Sequence, residues 1–326
     1  MTGSRVVVYH QTHHVGGMPI SALPLVTHQA GVTHLIIGAV HLNETSAGGL
    51  SLNDDPPEST RYTQLWSEVP ALQASGIKVM AMLGGAAQGS FQRLDAHARL
   101  SFEEYYHPLR NFLRQRNFDG IDLDVEEKMS LGGIIRLIDR LVDDFGRDFI
   151  ITLAPVATAL LLKGNNLSGF NYFDLEVARG RYIDFYNTQF YCGHGSLKNI
   201  SSYQRILDNG WDPRRVVVGV STNPSNCKGW VPLRTFSSVL REMQALALLR
   251  DNQPLFPGES DRGPAFGGIS GWEYFNSLPG SIERPWEWAS IISRLLGNMA
   301  TPEPVELLAE TSAARLQSIQ ITGGYS

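Results

Sequence analysis

Three acidic side chains occupy every second position of one short segment. The segment Phe118–Glu126 reads FDGIDLDVE, and its acids Asp122, Asp124 and Glu126 alternate with aliphatic residues. Residues two apart in a strand share a face, so the three carboxyl groups point the same way. On a buried face they cannot all be ionised without a large free-energy cost, so they must share protons. Shared protons are what general acid–base catalysis uses.

The alternative is a half-exposed strand with a solvated acidic face. Other predicted strands, such as Lys78–Leu83 and Arg215–Ser221, are largely apolar on both faces. That pattern is typical of buried parallel strands. We therefore expect the acidic face to lie inside the fold, and its last member to lie at the carboxyl end of a strand.

Short apolar segments alternate with amphipathic ones along the chain. Strands are predicted at Arg5–His10, Thr33–Leu42, Lys78–Leu83, Phe118–Glu126, Phe149–Ala154, Tyr182–Tyr191, Arg215–Ser221 and Phe266–Trp272. Helices are predicted at Ile20–Ala30, Tyr62–Ser75, Phe102–Arg116, Leu131–Phe145, Tyr172–Ala178, Ser202–Asn209, Leu233–Leu249 and Pro285–Leu296. Eight such units predict an α/β fold, a single-domain (β/α)8 TIM barrel. The rival, an open doubly wound sheet, usually carries a GxGxxG turn, which does not follow the first strand.

No second domain is evident in the 326 residues. Residues 1–297 are predicted to form the catalytic barrel, and 298–326 a C-terminal helix and tail, with the helix at Glu303–Gln317. The stretch Arg250–Pro264 is rich in Pro, Gly and charge, and so predicts an exposed loop.

Composition excludes several classes of partner. The net charge is -5 and no run of Lys or Arg occurs, so we expect no nucleic-acid partner. No apolar stretch is long enough to span a membrane. We expect a monomer. The N-terminus shows no signal peptide, so the protein is either cytoplasmic or has lost a leader.

Two further groups of residues could do chemistry. Cys192 and Cys227 could pair, but two cysteines make no disulfide scaffold, and the sequence favours free thiols. His10, His13 and His14 are spaced like metal ligands, yet no acid or cysteine cluster accompanies them. We therefore predict no metal and no cofactor.

The acidic segment also carries a family resemblance. Asp119–Glu126 matches the signature DGxDxDxE, and the chain therefore resembles glycoside hydrolase family 18, the chitinases and endo-β-N-acetylglucosaminidases. Gly84-Gly85 after the third strand, Tyr186–Tyr191 on the sixth and Gly271–Asn276 on the eighth fall where that family has its motifs. The last two look most similar to fungal endo-β-N-acetylglucosaminidases, which release N-glycans by cutting the chitobiose core.

The resemblance implies a retaining, substrate-assisted mechanism in which the acetamido oxygen of the bound sugar attacks its own anomeric carbon. Glu126 would protonate the leaving oxygen and later activate water. Asp124 would hold the acetamido N–H and stabilise the oxazolinium intermediate. Asp122 would share a proton with Asp124, and Tyr191 would donate to the acetamido oxygen.

The resemblance also implies substrate-binding residues: Gln189, Asn187, Trp272, Gly84, Gly85, Tyr9 and Glu273. For Asn187 and Gln189 a buried polar network is the alternative, and for Trp272 it is core packing. One residue departs from the pattern. Many family chitinases have a serine bonded to the first inner acid where this chain has Met82. A thioether cannot replace that hydroxyl, which puts the protonation of Asp122 in doubt.

The sequence leaves three functions open: an endo-β-N-acetylglucosaminidase acting on N-glycans, a chitinase, and a non-catalytic sugar-binding protein. Many processive chitinases insert a domain between strands seven and eight. Here only Thr222–Ala265 separates them, and a predicted helix uses much of it. The cleft should therefore be open, which suits a branched glycan, although small plant-type chitinases lack the insertion too. Sugar-binding relatives usually lose the acid, whereas Glu126 is present.

Overall fold

A computed structural model describes residues 3–43, 49–95, 99–162, 164–251 and 263–298. Its main sheet contains eight parallel strands. In chain order they are β1 (Arg5–His10), β2 (His34–Leu42), β3 (Lys78–Gly84), β4 (Gly120–Asp124), β5 (Ile150–Leu153), β6 (Phe185–Gln189), β7 (Val216–Ser221) and β8 (Gly268–Trp272). Each predicted strand matches one of them, with ends that differ by a few residues.

The eight strands close into a barrel. Each strand pairs in parallel with the next one along the chain, and β1 pairs with both β2 and β8. The predicted TIM barrel is thus confirmed. A short antiparallel strand, Leu50–Leu52, extends the sheet beside β2, and a small hairpin pairs His14–Val15 with Met18–Pro19 after β1.

Helices follow the strands and cover the outside of the barrel. They are α1 (Pro24–Thr27), α2 (Thr63–Ala74), α3 (Ser90–Leu94), α4 (Arg99–Gln115), α5 (Leu131–Phe145), α6 (Tyr172–Arg179), α7 (Ser201–Asp208), α8 (Leu233–Asp251) and α9 (Trp286–Leu295). The first is a single turn where the sequence predicted Ile20–Ala30. Pro24 begins it, and Gly31 adopts a left-handed conformation after it, which breaks the chain direction.

Apolar side chains form two layers, as a closed barrel requires. A large cluster lies between the strands and the helices, and includes Ile121, Leu123 and Val125. A smaller one fills the inside of the barrel, and includes Tyr9 and Met82. The aliphatic residues of the acidic segment therefore face the helices, as predicted, and its acids face inward.

Two predicted features lie wholly or partly outside the described residues. They are residues 299–326 of the predicted tail, with the helix Glu303–Gln317, and residues 252–262 of the predicted loop Arg250–Pro264. Within the described ranges, no helix has the length and apolar character needed to cross a membrane. In the same ranges, no cluster of three or more metal-ligating side chains is present, and His10 and His13 make an edge-to-face ring contact instead.

Candidate active site

The acidic row lies inside the barrel at the carboxyl end of β4. Asp122 is fully buried, Asp124 is 8% exposed, and both belong to the strand. Glu126 follows two residues after the end of β4 and is half-buried. Its carboxyl group can therefore meet both the interior of the barrel and a molecule arriving from solvent. Barrel enzymes place their catalytic groups at this end.

One amide joins two of these acids. Nε2 of Gln189, the last residue of β6, donates to Oδ1 of Asp124 over 3.0 Å and to Oε1 of Glu126 over 3.1 Å. The carbonyl oxygen of Ala154 also lies 3.0 Å from this nitrogen, so its two hydrogens are shared among three acceptors. Gln189 thus reaches the acids predicted to do the chemistry and fixes the position of one relative to the other.

Protonation of the row follows from burial and mutual repulsion. Burial, followed by the charges of Glu126 and Asp122, raises the pKa of Asp124 well above its usual value. Burial also raises the pKa of Asp122, while hydrogen bonds from Thr152, Tyr9 and Asn187 oppose the rise. The two aspartates must be treated as a coupled pair that retains a proton.

Asp122 has partners on both oxygens. The hydroxyl of Tyr9 donates to Oδ2 over 2.8 Å, and Nδ2 of Asn187 donates to Oδ1 over 3.0 Å. The hydroxyl of Thr152, on β5, donates to Oδ1 over 2.5 Å. Tyr9 and Asn187 were predicted to bind substrate, which stays a prediction; the structure places both on this carboxylate. The sequence did not single out Thr152, since threonine is ordinary in a strand.

Two glycines let the backbone approach Asp124. Gly84 and Gly85 have φ angles of +96° and +89°, which favour residues without a Cβ. The N–H of Gly85 donates to the carbonyl of Asp124 over 2.9 Å. A Cβ added to Gly84 would meet that carbonyl oxygen at 2.5 Å, well inside van der Waals contact. The Gly84-Gly85 turn is therefore required by the packing around Asp124.

Two aromatic rings line the mouth of the barrel. Tyr191 lies two residues after the end of β6, and burial together with the charges of Asp124 and Glu126 raises the pKa of its phenol well above its usual value. The phenol therefore stays a hydrogen-bond donor at neutral pH. Trp272 ends β8 beside it and is half-buried. Its Nε1–H donates to Oε1 of Gln11 over 3.2 Å, a loop residue whose role no sequence periodicity marked.

Glu273 faces the loop after β1. Its carboxylate accepts hydrogen bonds from the backbone N–H of Thr12 over 2.7 Å and from the hydroxyl of Thr12 over 3.0 Å. Glu273 is 7% exposed. The residue thus anchors the loop that carries Gln11, and its contact with substrate stays a prediction.

The prediction of free thiols is wrong. Cys192 and Cys227 form a disulfide that joins the loop after β6 to the loop after β7. The backbone N–H of Cys192 also donates to the carbonyl of Lys228 over 2.7 Å. Thirty-five positions separate the cysteines in sequence, so only the closed barrel brings the two loops together. The bridge begins one residue after Tyr191.

Comparison with known proteins agrees with this geometry. Residues 5–229 match glycosyl hydrolases family 18. A fungal endo-beta-N-acetylglucosaminidase of that family has a similar structure, with a TM-score of 0.81 and 44% identity over 91% of this chain and 99% of that one. The chitinase ChiC from Aspergillus fumigatus is similar too, with a TM-score of 0.76 and 51% identity over 89% of this chain and 99% of that one.

A curated relative is more distant. Endochitinase 37 of Trichoderma harzianum is 26% identical over 189 residues, which are 50% of this chain and 55% of that protein. The match therefore spans little more than half of that relative's length. The family match covers more than half of this chain and includes the acidic row. The protein therefore belongs to family 18 of the glycosyl hydrolases.

Proposed function

We propose that the protein is an endo-β-N-acetylglucosaminidase that hydrolyses the β-1,4 bond of the N,N'-diacetylchitobiose core of N-glycans. The proposal of catalysis rests on the contacts of the Gln189 amide with Asp124 at 3.0 Å and with Glu126 at 3.1 Å. A pair of acids fixed at the open end of the barrel can act on a glycosidic bond. A binding protein would not need this pairing.

The mechanism uses the acetamido group of the substrate as nucleophile. Glu126, half-buried at the mouth, protonates the leaving oxygen and then takes a proton from water. An oxygen of Asp124 accepts a hydrogen bond from the acetamido N–H, and the single negative charge of the Asp122–Asp124 pair stabilises the positive oxazolinium. The Tyr191 phenol donates to the acetamido oxygen and orients it for attack on the anomeric carbon. Trp272 supplies an apolar face for the sugar ring.

The N-glycan assignment rests on the short length of chain between β7 and β8. Residues 222–267 separate β7 from β8, and α8 occupies 19 of them. That length leaves no room for a further folded domain beside the barrel mouth. An open cleft accommodates a branched glycan attached to protein. The likeness to the fungal endo-beta-N-acetylglucosaminidase supports the same choice.

A chitinase is the second candidate, and a specific observation favours it. The Aspergillus fumigatus chitinase ChiC shares 51% identity with this chain, against 44% for the endo-beta-N-acetylglucosaminidase. Both candidates use the same acids, so the site itself does not separate them. Linear chitin would fit an open cleft as well, and only products can discriminate.

The test is mass spectrometry of products from a high-mannose glycoprotein and from chitohexaose, with Glu126→Gln as the inactive control. We expect released glycans and a protein that keeps one N-acetylglucosamine per site. Cleavage of chitohexaose alone would identify a chitinase instead. No turnover of either substrate by the wild type would contradict the enzyme assignment.

A further inference from the structure

The buried carboxylate of Asp122 is held by three strands besides its own. Tyr9 on β1 donates to Oδ2, while Thr152 on β5 and Asn187 on β6 donate to Oδ1. The Thr152 contact, at 2.5 Å, is the shortest of the three. Both oxygens therefore act as acceptors, which favours the ionised form of Asp122.

Thr152 and Met82 flank Asp122 in the sheet. The register of β3 with β4 pairs Met82 with Asp122, and the register of β4 with β5 pairs Asp122 with Thr152. Residues paired in register point to the same face, so all three lie inside the barrel. Met82 carries a thioether that cannot donate a hydrogen bond. Of the two flanking side chains, only Thr152 supplies Asp122 with a donor.

We propose that Thr152 is a positioning residue of the active site, whose hydroxyl keeps Asp122 ionised so that the shared proton stays on Asp124. The inference rests on the proposed glycosidase function, because it assigns a role within that site. It also resolves the departure at Met82. The hydroxyl absent from β3 is present on β5, one strand to the other side of the same carboxylate.

The physical consequence is that the two aspartates differ in charge, with Asp122 ionised and Asp124 protonated. An ionised Asp122 contributes to the raised pKa of Asp124, which thus stays protonated to higher pH. Without the hydroxyl of Thr152, one of the hydrogen bonds that oppose the raised pKa of Asp122 is lost. The proton would then move towards Asp122. Among the described residues, the groups whose pKa the charge of Asp122 raises are Tyr9, Asp124, Tyr172 and Tyr191.

Thr152→Val tests the role because it replaces the hydroxyl by a methyl group of similar size. We expect kcat to fall about 10-fold to 100-fold, as for one lost hydrogen bond to a buried carboxylate. The acid limb of the pH profile should move up by about one pH unit, since Asp122 takes a proton more readily. Thr152→Ser, which keeps the hydroxyl, should restore both the rate and the profile.

Two further variants separate positioning from simple packing. Thr188→Val is the matched control, because Thr188 is also fully buried in the barrel wall but its hydroxyl donates to the carbonyl of Tyr186. It should leave the pH profile unchanged. Combining Thr152→Val with Met82→Ser returns a hydroxyl on the opposite flank, and should recover part of the lost rate.

A titration of the Asp122 carboxyl carbon by NMR provides a readout that does not need substrate, with Asp122→Asn to assign the signal. The pKa of Asp122 should rise in Thr152→Val and return in Thr152→Ser. An unchanged titration in a folded Thr152→Val protein would overturn the inference. So would an unchanged pH profile in an active protein. A wild type that hydrolyses nothing would overturn the proposed function alone, because the titration still tests Thr152.

Discussion

The phenol ring of Tyr191 lies nearly parallel to the indole of Trp272, with 5.8 Å between the ring centroids and 12° between the ring planes. Gln11 holds the indole in this orientation through the hydrogen bond to its Nε1–H. The backbone of Gln11 is held in turn, because its main-chain carbonyl accepts a hydrogen bond from Nδ2 of Asn53 over 2.9 Å. A loop residue thus sets the angle of the ring proposed to receive the sugar.

Variants of Gln11 should separate this support from direct contact with substrate. Gln11→Leu removes the acceptor of the indole, and we expect KM to rise about 3-fold to 10-fold, the effect of one hydrogen bond. Gln11→Glu keeps an acceptor and should remain close to wild type. Steady-state kinetics and the fluorescence of Trp272, isolated with Trp272→Phe, measure the two effects. Equal losses in both variants would instead point to the Gln11 amide N–H as a substrate ligand.

Two adjacent glutamates offer a matched pair of variants. Glu126→Gln should lower kcat about 100-fold to 10,000-fold, the usual contribution of a general acid, and leave stability nearly unchanged. Glu127 instead accepts from the backbone N–H groups of Gly89 and Phe91, each over 2.7 Å. Glu127→Gln should therefore cost about 1–3 kcal/mol of unfolding free energy and retain activity per folded molecule.

Urea unfolding and initial rates on the same two preparations check this pair. A Glu126→Gln protein with near wild-type turnover would remove Glu126 from the mechanism. A Glu127→Gln protein that is stable but inactive would transfer the acid role to the neighbouring residue.

The disulfide should stabilise the protein and the position of Tyr191. Cys192→Ser opens a loop closed over 35 positions, and we expect a loss of about 4 kcal/mol in unfolding free energy. The catalytic rate should also fall, because the loop beginning one residue after Tyr191 loses its attachment to the loop after β7. Cys227→Ser should match it, and the double variant should add nothing further.

Urea unfolding with and without a reductant measures the stability term. Reductant should reproduce the single variants in the wild type and have no effect on them. Wild-type stability that does not respond to reduction would mean that the two thiols are unpaired in solution.

Acid should destabilise the fold through its buried histidines. Burial lowers the pKa of His13 to about 4, against about 6.5 in an unfolded chain. Below pH 6.5 the unfolded state binds a proton that the folded state does not, so stability falls with pH and levels off near pH 4. For His13 the loss amounts to about 3 kcal/mol. Burial also lowers the pKa of His10 well below its usual value.

Urea unfolding at pH 7.5 and pH 4.5, in wild type and His13→Gln, isolates this contribution. His13→Gln can still donate to the carbonyl of Gly38, as Nε2 of His13 does over 2.8 Å. The variant should lose less stability between the two pH values than the wild type. His28→Gln, on the exposed surface, provides the control and should follow the wild type. Identical pH dependence in His13→Gln and wild type would refute the prediction.

Periodicity was enough to predict the barrel because it repeats in every unit. The β-branched segments and amphipathic helices mark each element, and the acids of β4 face inward as their spacing of two predicted. Boundaries were less accurate. Glu126 was predicted to lie within the strand, but it follows the end of β4. The pairing of β4 with β5 stops at Leu123, because its partner Leu153 is the last residue of β5.

Contacts between segments far apart in the sequence could not be predicted, because they leave no periodic pattern in the sequence. Cys192 and Cys227 come together only because neighbouring loops meet at the barrel mouth. Thr152 is one polar residue in the strand Ile150–Leu153, and nothing in its spacing indicates that it faces Asp122. The catalytic and substrate roles given to the predicted site residues stay predictions until the variants above are measured.

The in-register row of Met82, Asp122 and Thr152 has a consequence for how such chains are recognised. In a closed parallel barrel every inward side chain has two lateral neighbours, and a chemical group can be supplied from either one. A search that demands a hydroxyl at one fixed site of the third strand would discard this chain, although the hydroxyl is present on the fifth. Active sites of such barrels can therefore be compared by the side chains that neighbour one another around the barrel, rather than by the motif along one strand.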